Sequence, residues 1–284
     1  MDFSLSHEQK VFSESIKKFA DKEFSSGALK RAHTDSFPWE VAQKMSEFGL
    51  LGITIDPKYG GLGGSLLDAI IAIQAVASVC PRSADVVQAG NFGAIRTFAE
   101  FATEEQKSRF LPQLLAGRSI MSVGMTEPEA GSAVTELRTK AVADGDGFRV
   151  SGSKIFSTHS TDADVFLIYV QFGHNVGGIG SVLVERGMEG FEIGTKSRFM
   201  SGETWSQLYF NDCYIGPENI LLAEGGFKKQ ISGFNIERLG NASRALSVGR
   251  YAYNIAREHA LTRKQFGRLI CEFQGLQWKF VEMD

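Results

Sequence analysis

The sequence predicts an α+β fold in which a helical region, a region of short strands and a second helical region follow one another. Apolar residues recur at helical intervals up to about residue 118. Short runs rich in β-branched and aromatic residues then follow, and helical spacing returns near residue 225. We therefore expect three domains: an N-terminal helical domain over residues 1–118, a middle β domain over 119–224, and the start of a C-terminal helical domain over 225–284.

The first region carries helix start and stop signals. Ser6 and Gln9 have the spacing of a capping box, and apolar residues follow them at helical intervals. The stretch from Leu66 to Cys80 is apolar almost all round, which predicts a buried helix. Two other helices should stop at a glycine, as helices often do. Helices are thus expected from residue 6 onward and over residues 39–48, 66–80 and 104–116.

The middle region contains closely spaced strand signals with no helical pattern between them. Asp144-Gly-Asp-Gly147 is a turn signal that predicts a β-hairpin. Several short strands in this order indicate a small antiparallel sandwich or barrel. Strands are expected over residues 139–142, 148–150, 165–170, 181–184 and 207–210.

The third region has a helical period from about Gly225 through Gly267. The chain then ends at Asp284 inside another helical pattern, without a stop signal. From this pattern we expect a C-terminally incomplete helical domain.

Composition excludes several function classes. The 284 residues are 43% hydrophobic and 22% charged, with a net charge of -3, which argues against a nucleic-acid partner. The three cysteines are far apart, and the five histidines lack metal-ligand spacing, so no disulfide framework or metal site is predicted. No signal peptide or lipid-spanning run is visible. We expect a soluble, cytoplasmic protein without membrane insertion.

Three segments have residue types suited to a flat, phosphate-bearing cofactor. Small residues let the backbone approach closely, hydroxyls donate hydrogen bonds, and an arginine binds pyrophosphate. Taken singly, the segments are more commonly an interdomain loop, a strand pair and a solvated helix end, respectively. The segments are Thr126-Glu-Pro-Glu-Ala-Gly-Ser132, Lys154-Ile-Phe-Ser-Thr158, and Arg263-Lys-Gln-Phe-Gly267 with Phe273-Gln274 after it.

Together, in this order, these segments resemble signatures of the acyl-CoA dehydrogenase family of flavoproteins, with weaker support from Tyr59-Gly-Gly61. The resemblance covers essentially the whole chain and implies the three-domain fold of that family. It implies FAD as cofactor, an acyl-CoA substrate and an electron-transfer flavoprotein as electron acceptor. It also implies a homo-oligomer, either a dimer or a homotetramer built as a dimer of dimers.

The resemblance also implies positions for the cofactor-binding residues. An aromatic residue and a threonine would lie against the flavin ring, and Ser132 would also face the CoA moiety. A second group would reach the FAD of a neighbouring subunit: Arg263, Gln265, Phe266 and Gln274. The residues expected to bind the FAD of the same subunit are Val123, Met125, Thr126, Gly131, Ser132, Phe156, Ser157 and Thr158.

Dehydrogenation of an acyl thioester removes a proton from Cα and a hydride from Cβ to flavin N5, so it needs a carboxylate base. Glu237-Arg-Leu239 resembles the base segment of isovaleryl-CoA and long-chain types, which makes Glu237 the candidate base. The flanking Asn235 and Arg238 match family positions near the substrate. The glycines around Glu237 also predict a notch that a thioester could enter. From the residues alone, without the resemblance, a solvated helix charge is the more common role for such a glutamate.

The sequence departs from the family pattern at Ala133, where aspartate is usual, and at Phe156, where tryptophan is common. Two other functions stay open at this point. One is a flavin oxidase or monooxygenase on the same fold, and the other is a non-catalytic scaffold member. Acyl chain length and branching cannot be read from spacing.

Overall fold

The computed structural model describes residues 4–284 and places a mixed β-sheet between two helical regions in sequence order. The first region ends with α7, and the second consists of a long helix and a short one. The helices are α1 His7–Phe24, α2 Ala28–Ala32, α3 Trp39–Glu47, α4 Leu66–Ala77, α5 Pro81–Ala89, α6 Gly93–Phe101, α7 Glu104–Leu115, α8 Phe227–Thr262 and α9 Gln274–Met283.

Side-chain caps set where several of these helices begin. The capping box predicted from Ser6 and Gln9 is confirmed at the start of α1. Ser65 caps α4 in the same way. A capping box satisfies backbone N–H groups that have no partner inside the helix, so these residues define the helix starts locally.

The predicted helix over residues 66–80 is confirmed as α4, and a separate helix that was not predicted follows it. α4 ends at Ala77, and Pro81 starts α5. Proline lacks a backbone N–H, which disfavours it inside a helix but suits the first position of a new one. The sequence reasoning missed α5 because its buried face carries polar residues, Arg82, Asp85 and Gln88, which obscure the apolar period. It also missed α2 and α6.

Within the described residues, nine strands form one sheet in the order β6-β8-β3-β2-β4-β5-β9, with β1 beside β4 and β7 beside β8. All five predicted strands are present, although β3 and β8 are much longer than predicted. The strands are β1 Met121–Gly124, β2 Lys140–Asp144, β3 Gly147–Thr158, β4 Val165–Gln171, β5 Ile179–Glu185, β6 Phe191–Ile193, β7 Ser197–Arg198, β8 Thr204–Ile215 and β9 Ile220–Leu222.

The sheet is mixed, which corrects the expectation of purely antiparallel pairing. β1 pairs with β4 in parallel, and a single parallel pair joins β2 to β4. The long segment between β1 and β4 allows this, because parallel strands need a long connection. The predicted β2–β3 hairpin is present, with Asp144 opposite Gly147 and Gly145 at a φ of 63°.

The C-terminal region is dominated by α8, whose 36 residues span roughly 54 Å. Its helical period was expected to continue through Gly267, but the helix ends at Thr262. A short ribbon of β10 (Lys264–Gln265) and β11 (Arg268–Leu269) follows. Phe266 and Gly267 have φ values of 51° and 79°, so two consecutive left-handed residues turn the chain there.

Apolar residues of the first helical region and of the sheet share one core. The buried face of α4 packs with α1 and α5, and it joins the apolar face of the sheet through residues such as Phe166 and Val182. Among residues 4–284, no helix has the length and apolar character needed to cross a bilayer.

Candidate active site between α5, α8 and the sheet

Glu237 projects from α8 between two cavities. The larger, of about 260 Å³, is bounded by α5, the start of α6, β1, the end of β3 and α8. The smaller, of about 80 Å³, is mostly apolar and is lined by Val123, Tyr169 and Phe234 among others. Val123 lines both cavities, so the candidate base and a candidate flavin residue share one site.

Glu237 is held by one strong contact and is otherwise poorly solvated. Gln88 Nε2 on α5 donates to its Oε1 at 3.0 Å. Its Oε2 is buried and has no hydrogen-bond partner among residues 4–284. Burial raises the pKa of Glu237, and hydrogen bonds from Gln88, Asn241 and the Gly93 backbone, with the charge of Arg244, oppose that rise only in part. The carboxylate is therefore more basic than a solvated glutamate.

Gln88 is fixed at both ends of its amide. Its Oε1 accepts from Arg244 Nη1 at 3.4 Å, which directs the NH2 group toward Glu237. The same Nε2 also donates to Asn241 Oδ1 at 2.6 Å. The orientation of the amide beside the base is thus set by contacts with α8.

Behind Gln88 lies a buried ion-pair network. Asp85 accepts from Arg82 at 2.7 Å and from Arg244 at 2.6 Å. Its Oδ2 also lies 3.1 Å from His159 Nε2. Arg244 binds Glu203 as well, through its other terminal nitrogen. Two guanidinium groups therefore face two carboxylates in the interior.

The network shifts the pKa values of its two carboxylates, Asp85 and Glu203, in opposite directions. Burial raises the pKa of Asp85, but His159 and Arg244 lower it more strongly, so the net shift is well downward. For Glu203, burial and the neighbouring Asp85 both raise the pKa. Ligand atoms of Asp85, His159 and Glu203 lie within 4.8 Å of one another, a grouping that the sequence did not predict. Because Arg82 and Arg244 already supply positive charge there, we interpret it as an ion-pair network rather than a metal centre.

The glycines beside Glu237 form only part of the expected notch, because Gly233 lines the 80 Å³ cavity whereas Gly240 packs against Phe92. Gly233 and Gly240 are buried, and a Cβ added to them would lie 3.0 Å from Thr97 and from Phe92, respectively. They allow the α6 region to approach α8 closely. Gly93 leaves room for the base in the same way, since a Cβ there would lie 3.2 Å from Glu237 Oε2.

The loop over residues 126–132 is clamped to the sheet by Glu127, a residue whose role the sequence reasoning missed. Glu127 is buried and accepts from Lys154 Nζ at 2.7 Å and from Thr139 Oγ1 at 2.6 Å. The backbone N–H groups of Arg138 and Thr139 also donate to it. Burial lowers the pKa of Lys154 to about 8, although Glu127 opposes that shift.

Replacing Glu127 with glutamine is expected to destabilise the protein by about 1–3 kcal/mol, because a buried charged acceptor is lost while its donors stay buried. The cost stays moderate because Lys154, with its pKa already near 8, can give up its proton. The thermal unfolding midpoint measures the effect. Glu129→Gln on the same loop is the control, since its pair with Arg138 is exposed and contributes little. Equal midpoints for the two variants would contradict the clamp.

The structure groups several predicted flavin residues at the end of β3. Phe156 is half exposed, has a φ of 62° and packs edge-on against Trp205 at 4.8 Å. It lies at a register shift between β3 and β8, and such irregularities redirect side chains at functional sites. Phe156 is therefore not a core residue of the strand pair.

The neighbouring residues fit a flavin at this position. Ser157 Oγ is buried and has no hydrogen-bond partner among residues 4–284, which leaves it free for a ligand. Thr158 lines the 260 Å³ cavity, and its backbone oxygen accepts from Ser122 Oγ at 2.7 Å. A hydroxyl-bearing strand end beside an exposed aromatic ring suits a flat, hydrogen-bonding ring system.

Further predicted residues lie on the 126–132 loop and directly before it. Thr126 is tied down through its backbone oxygen, which accepts from Ile155 N at 2.8 Å, and Met125 packs partly buried against the core. Gly131 and Ser132 are exposed, and a Cβ on Gly131 would meet nothing within 4 Å. Ala133 precedes a single 3₁₀ turn without a side-chain cap, a place where aspartate would supply one.

The second predicted cofactor group lies apart from the Glu237 site. Arg263 directly follows α8, about 39 Å along the helix axis from Glu237. Gln265 and Gln274 are exposed, and Phe266 is 94% exposed on its turn. Within the described part of this chain, these four residues therefore do not join the cavity.

The predicted substrate residues lie on the outer side of α8. Asn235 and Arg238 are exposed, and Arg238 Nη1 donates to Asn235 Oδ1 at 2.8 Å. The sequence reasoning did not identify the polar groups on the inner side. Local sequence carries no signal for them, because their partners are more than 140 residues away along the chain.

Family models match the chain over nearly its full length. The acyl-CoA dehydrogenase N-terminal domain matches residues 6–118, the middle domain matches 122–213, and the C-terminal domain matches 224–284. A short-chain specific acyl-CoA dehydrogenase of Clostridium acetobutylicum is 35% identical over 100% of this chain and 76% of its own length.

Solved structures show the same fold. The FAD complex of PigA superposes with a TM-score of 0.93 at 26% identity, over 100% of this chain and 76% of that one. A chain from a structure described as an electron transferring flavoprotein of Acidaminococcus fermentans gives 0.91 at 30% identity, over 99% and 76%. Together with the motifs, these matches show that this chain belongs to the acyl-CoA dehydrogenase family of FAD-dependent oxidoreductases.

Proposed function

We propose that this protein catalyses α,β-dehydrogenation of an acyl-CoA thioester to the 2,3-enoyl-CoA, with Glu237 as the base that removes the Cα proton. The observation that carries the proposal is the position of Glu237. Its unpartnered Oε2 stands in a site shared with Val123 and Thr158, which belong to the expected flavin surface. A proton acceptor and a hydride acceptor on opposite sides of one Cα–Cβ bond are what this reaction requires.

FAD, when bound, supplies the hydride acceptor for the β-carbon. The chain itself holds the proton acceptor. Gln88 fixes the direction of the carboxylate, and the buried setting raises its pKa, which brings its basicity closer to neutral pH. The position of Glu237 on α8 supports a base of the isovaleryl-CoA and long-chain type.

FAD contacts are proposed for two separate parts of the chain. The strand end with Phe156, Ser157 and Thr158, and the loop over residues 123–132, would face the flavin of the same subunit. The exposed group around Arg263 would reach the FAD of a second subunit, since it lies far from this chain's own cavity. This division supports a homo-oligomer, and its size, a dimer or a tetramer, stays a prediction. The cytoplasmic location also stays a prediction.

Asn235, Arg238 and Ser132 are proposed to bind the CoA part of the substrate. All three are exposed, as the large polar CoA moiety requires, and Asn235 and Arg238 flank Glu237 on α8. An electron-transfer flavoprotein is the proposed electron acceptor. The likeness to a chain from an electron transferring flavoprotein structure supports this choice.

Anaerobic mixing of the FAD-loaded protein with a panel of acyl-CoA thioesters tests the proposal. Flavin bleaching and enoyl-CoA formation without oxygen are expected. A flavin oxidase on the same fold would instead need oxygen as its only acceptor for turnover. Absence of bleaching with every thioester would overturn the proposed reaction.

The rate of flavin reduction should depend on pH in a defined direction. Only ionised Glu237 can accept a proton, so the rate should fall as the pH falls through the pKa of this group. Burial raises that pKa, so the midpoint should lie above the ordinary value of 4.5. Stopped-flow reduction between about pH 4 and pH 9 measures it. A midpoint at or below 4.5 would contradict a buried base.

A further inference from the structure

The cavity extends from Glu237 along one face of α8. Asn241 and Arg244 follow Glu237 by four and seven residues, so they lie on the same face, roughly 6 and 10 Å further along the axis. Both line the 260 Å³ cavity, as do Gln88 and Asp85 from α5. The exposed Asn235 and Arg238 flank Glu237 on the outer side of α8. With CoA on that outer side, the acyl end of the substrate extends into the cavity toward Asn241 and Arg244.

The inner end of this cavity is poorly suited to a plain alkyl chain. Besides the residues above, Glu203 and His159 line it, and the network around Asp85 closes it. A hydrocarbon tail would displace water from charged and amide groups and offer them nothing in return. An acyl group with a polar end would keep those groups hydrogen-bonded.

The free hydrogen-bonding capacity at this end consists mainly of donors. A guanidinium has five N–H groups. The bonds of Arg244 to Asp85, Gln88 and Glu203 account for three of them. Asn241 accepts from Gln88 through its oxygen, and its NH2 group also hydrogen-bonds the Glu237 carboxylate, which leaves its second N–H for a ligand. The matching substrate group is therefore a hydrogen-bond acceptor.

We infer that the acyl group of the substrate carries an oxygen at its far end, a hydroxyl or a carboxylate, which Arg244 and Asn241 bind. This inference rests on the proposed function, because it assigns the acyl end of the same cavity. Arg244 and Asn241 are thus specificity-determining residues. An oxygen-bearing acyl group accepts hydrogen bonds from these two side chains, whereas an alkyl chain of equal length leaves their N–H groups without an acceptor.

The test compares acyl-CoA thioesters of similar size on the FAD-loaded protein. Hexanoyl-CoA, 5-hydroxypentanoyl-CoA and glutaryl-CoA differ mainly in the polarity of the far end, and anaerobic flavin reduction gives kcat/KM for each. At least one oxygen-bearing substrate should exceed hexanoyl-CoA by about 10- to 100-fold, the range for hydrogen bonds to charged groups. The hydroxyl and carboxylate substrates show which of the two oxygens the site prefers.

Asn241→Leu is the matching variant, because Asn241 lies outside the buried ion pairs. It should reduce the preference for the oxygen-bearing substrate over hexanoyl-CoA by about tenfold or more. The ratio is the readout, since a general loss of activity affects both substrates equally. Arg250→Leu, an exposed position on the same helix, is the control and should leave the ratio unchanged.

The outcomes separate this inference from the proposed function. Reduction by hexanoyl-CoA at a rate equal to or above the oxygen-bearing thioesters would overturn the inference and leave dehydrogenation intact. An unchanged ratio in Asn241→Leu would overturn the assignment to this end of the cavity. Failure of every thioester to reduce the flavin would overturn both.

Discussion

Replacing Glu237 with glutamine is expected to slow anaerobic flavin reduction by acyl-CoA by about 10²- to 10⁴-fold, the usual contribution of a general base. Glutamine keeps the oxygen that accepts from Gln88 but cannot take up the Cα proton. FAD content and thioester binding should change little, because shape and volume are preserved. Rapid-mixing absorbance of the flavin measures the rate.

The same substitution should not weaken the fold. A carboxyl whose pKa is raised in the folded state costs stability at any pH where it is ionised, and an amide removes that cost. The thermal midpoint at neutral pH should therefore be equal or higher. Glu258→Gln, an exposed change on the same helix, controls for the loss of one charge. Reduction of the Glu237 variant at the unaltered rate would place the base elsewhere.

Asp85→Asn is expected to cause the largest loss of stability. Asp85 is buried and faces Arg82, Arg244 and His159, so the change leaves buried positive groups without their counter-charge. Removing one partner of a buried ion pair costs about 3–5 kcal/mol. The thermal midpoint should fall by about 5–15 °C. Thermal unfolding followed by circular dichroism measures it.

The pH dependence gives this prediction a second readout. The pKa of Asp85 is lowered in the folded state, so its stabilisation is present above the unfolded value near 3.9 and is lost as the pH falls below it. The difference between parent and variant should therefore shrink below about pH 4. Asp21→Asn on the exposed face of α1 is the control. A variant as stable as that control would show that the network does not hold α5 to α8.

The network also connects stability with the site. Arg244 donates hydrogen bonds to Asp85, Glu203 and Gln88. Gln88 in turn donates to Glu237. The groups that hold α8 against α5 thus also orient the candidate base. We expect the Asp85 variant to lose reduction rate as well as stability, because the orientation of Gln88 depends on Arg244.

Features encoded over a few residues were predictable. The capping box of Ser6 and Gln9, the hairpin turn at Gly145 and the order of helices, strands and helices depend on spacing within short windows. The motif over residues 126–132 likewise indicated the family before any contact was known. Predictions failed where tertiary packing decided the outcome: α5 was missed because its buried face is polar, and α8 ends at Thr262 although the helical pattern continues to Gly267.

By itself, then, the sequence determined the fold class, the family resemblance with its FAD cofactor and the candidate base. The tertiary structure alone decided how that base is surrounded. Gln88 and Glu237 are 149 residues apart, and Asp85 and Arg244 are 159 apart, yet they meet in one cavity. A buried charge needs a partner, but no local pattern specifies which one, because only the packing of α5 against α8 brings the partners together.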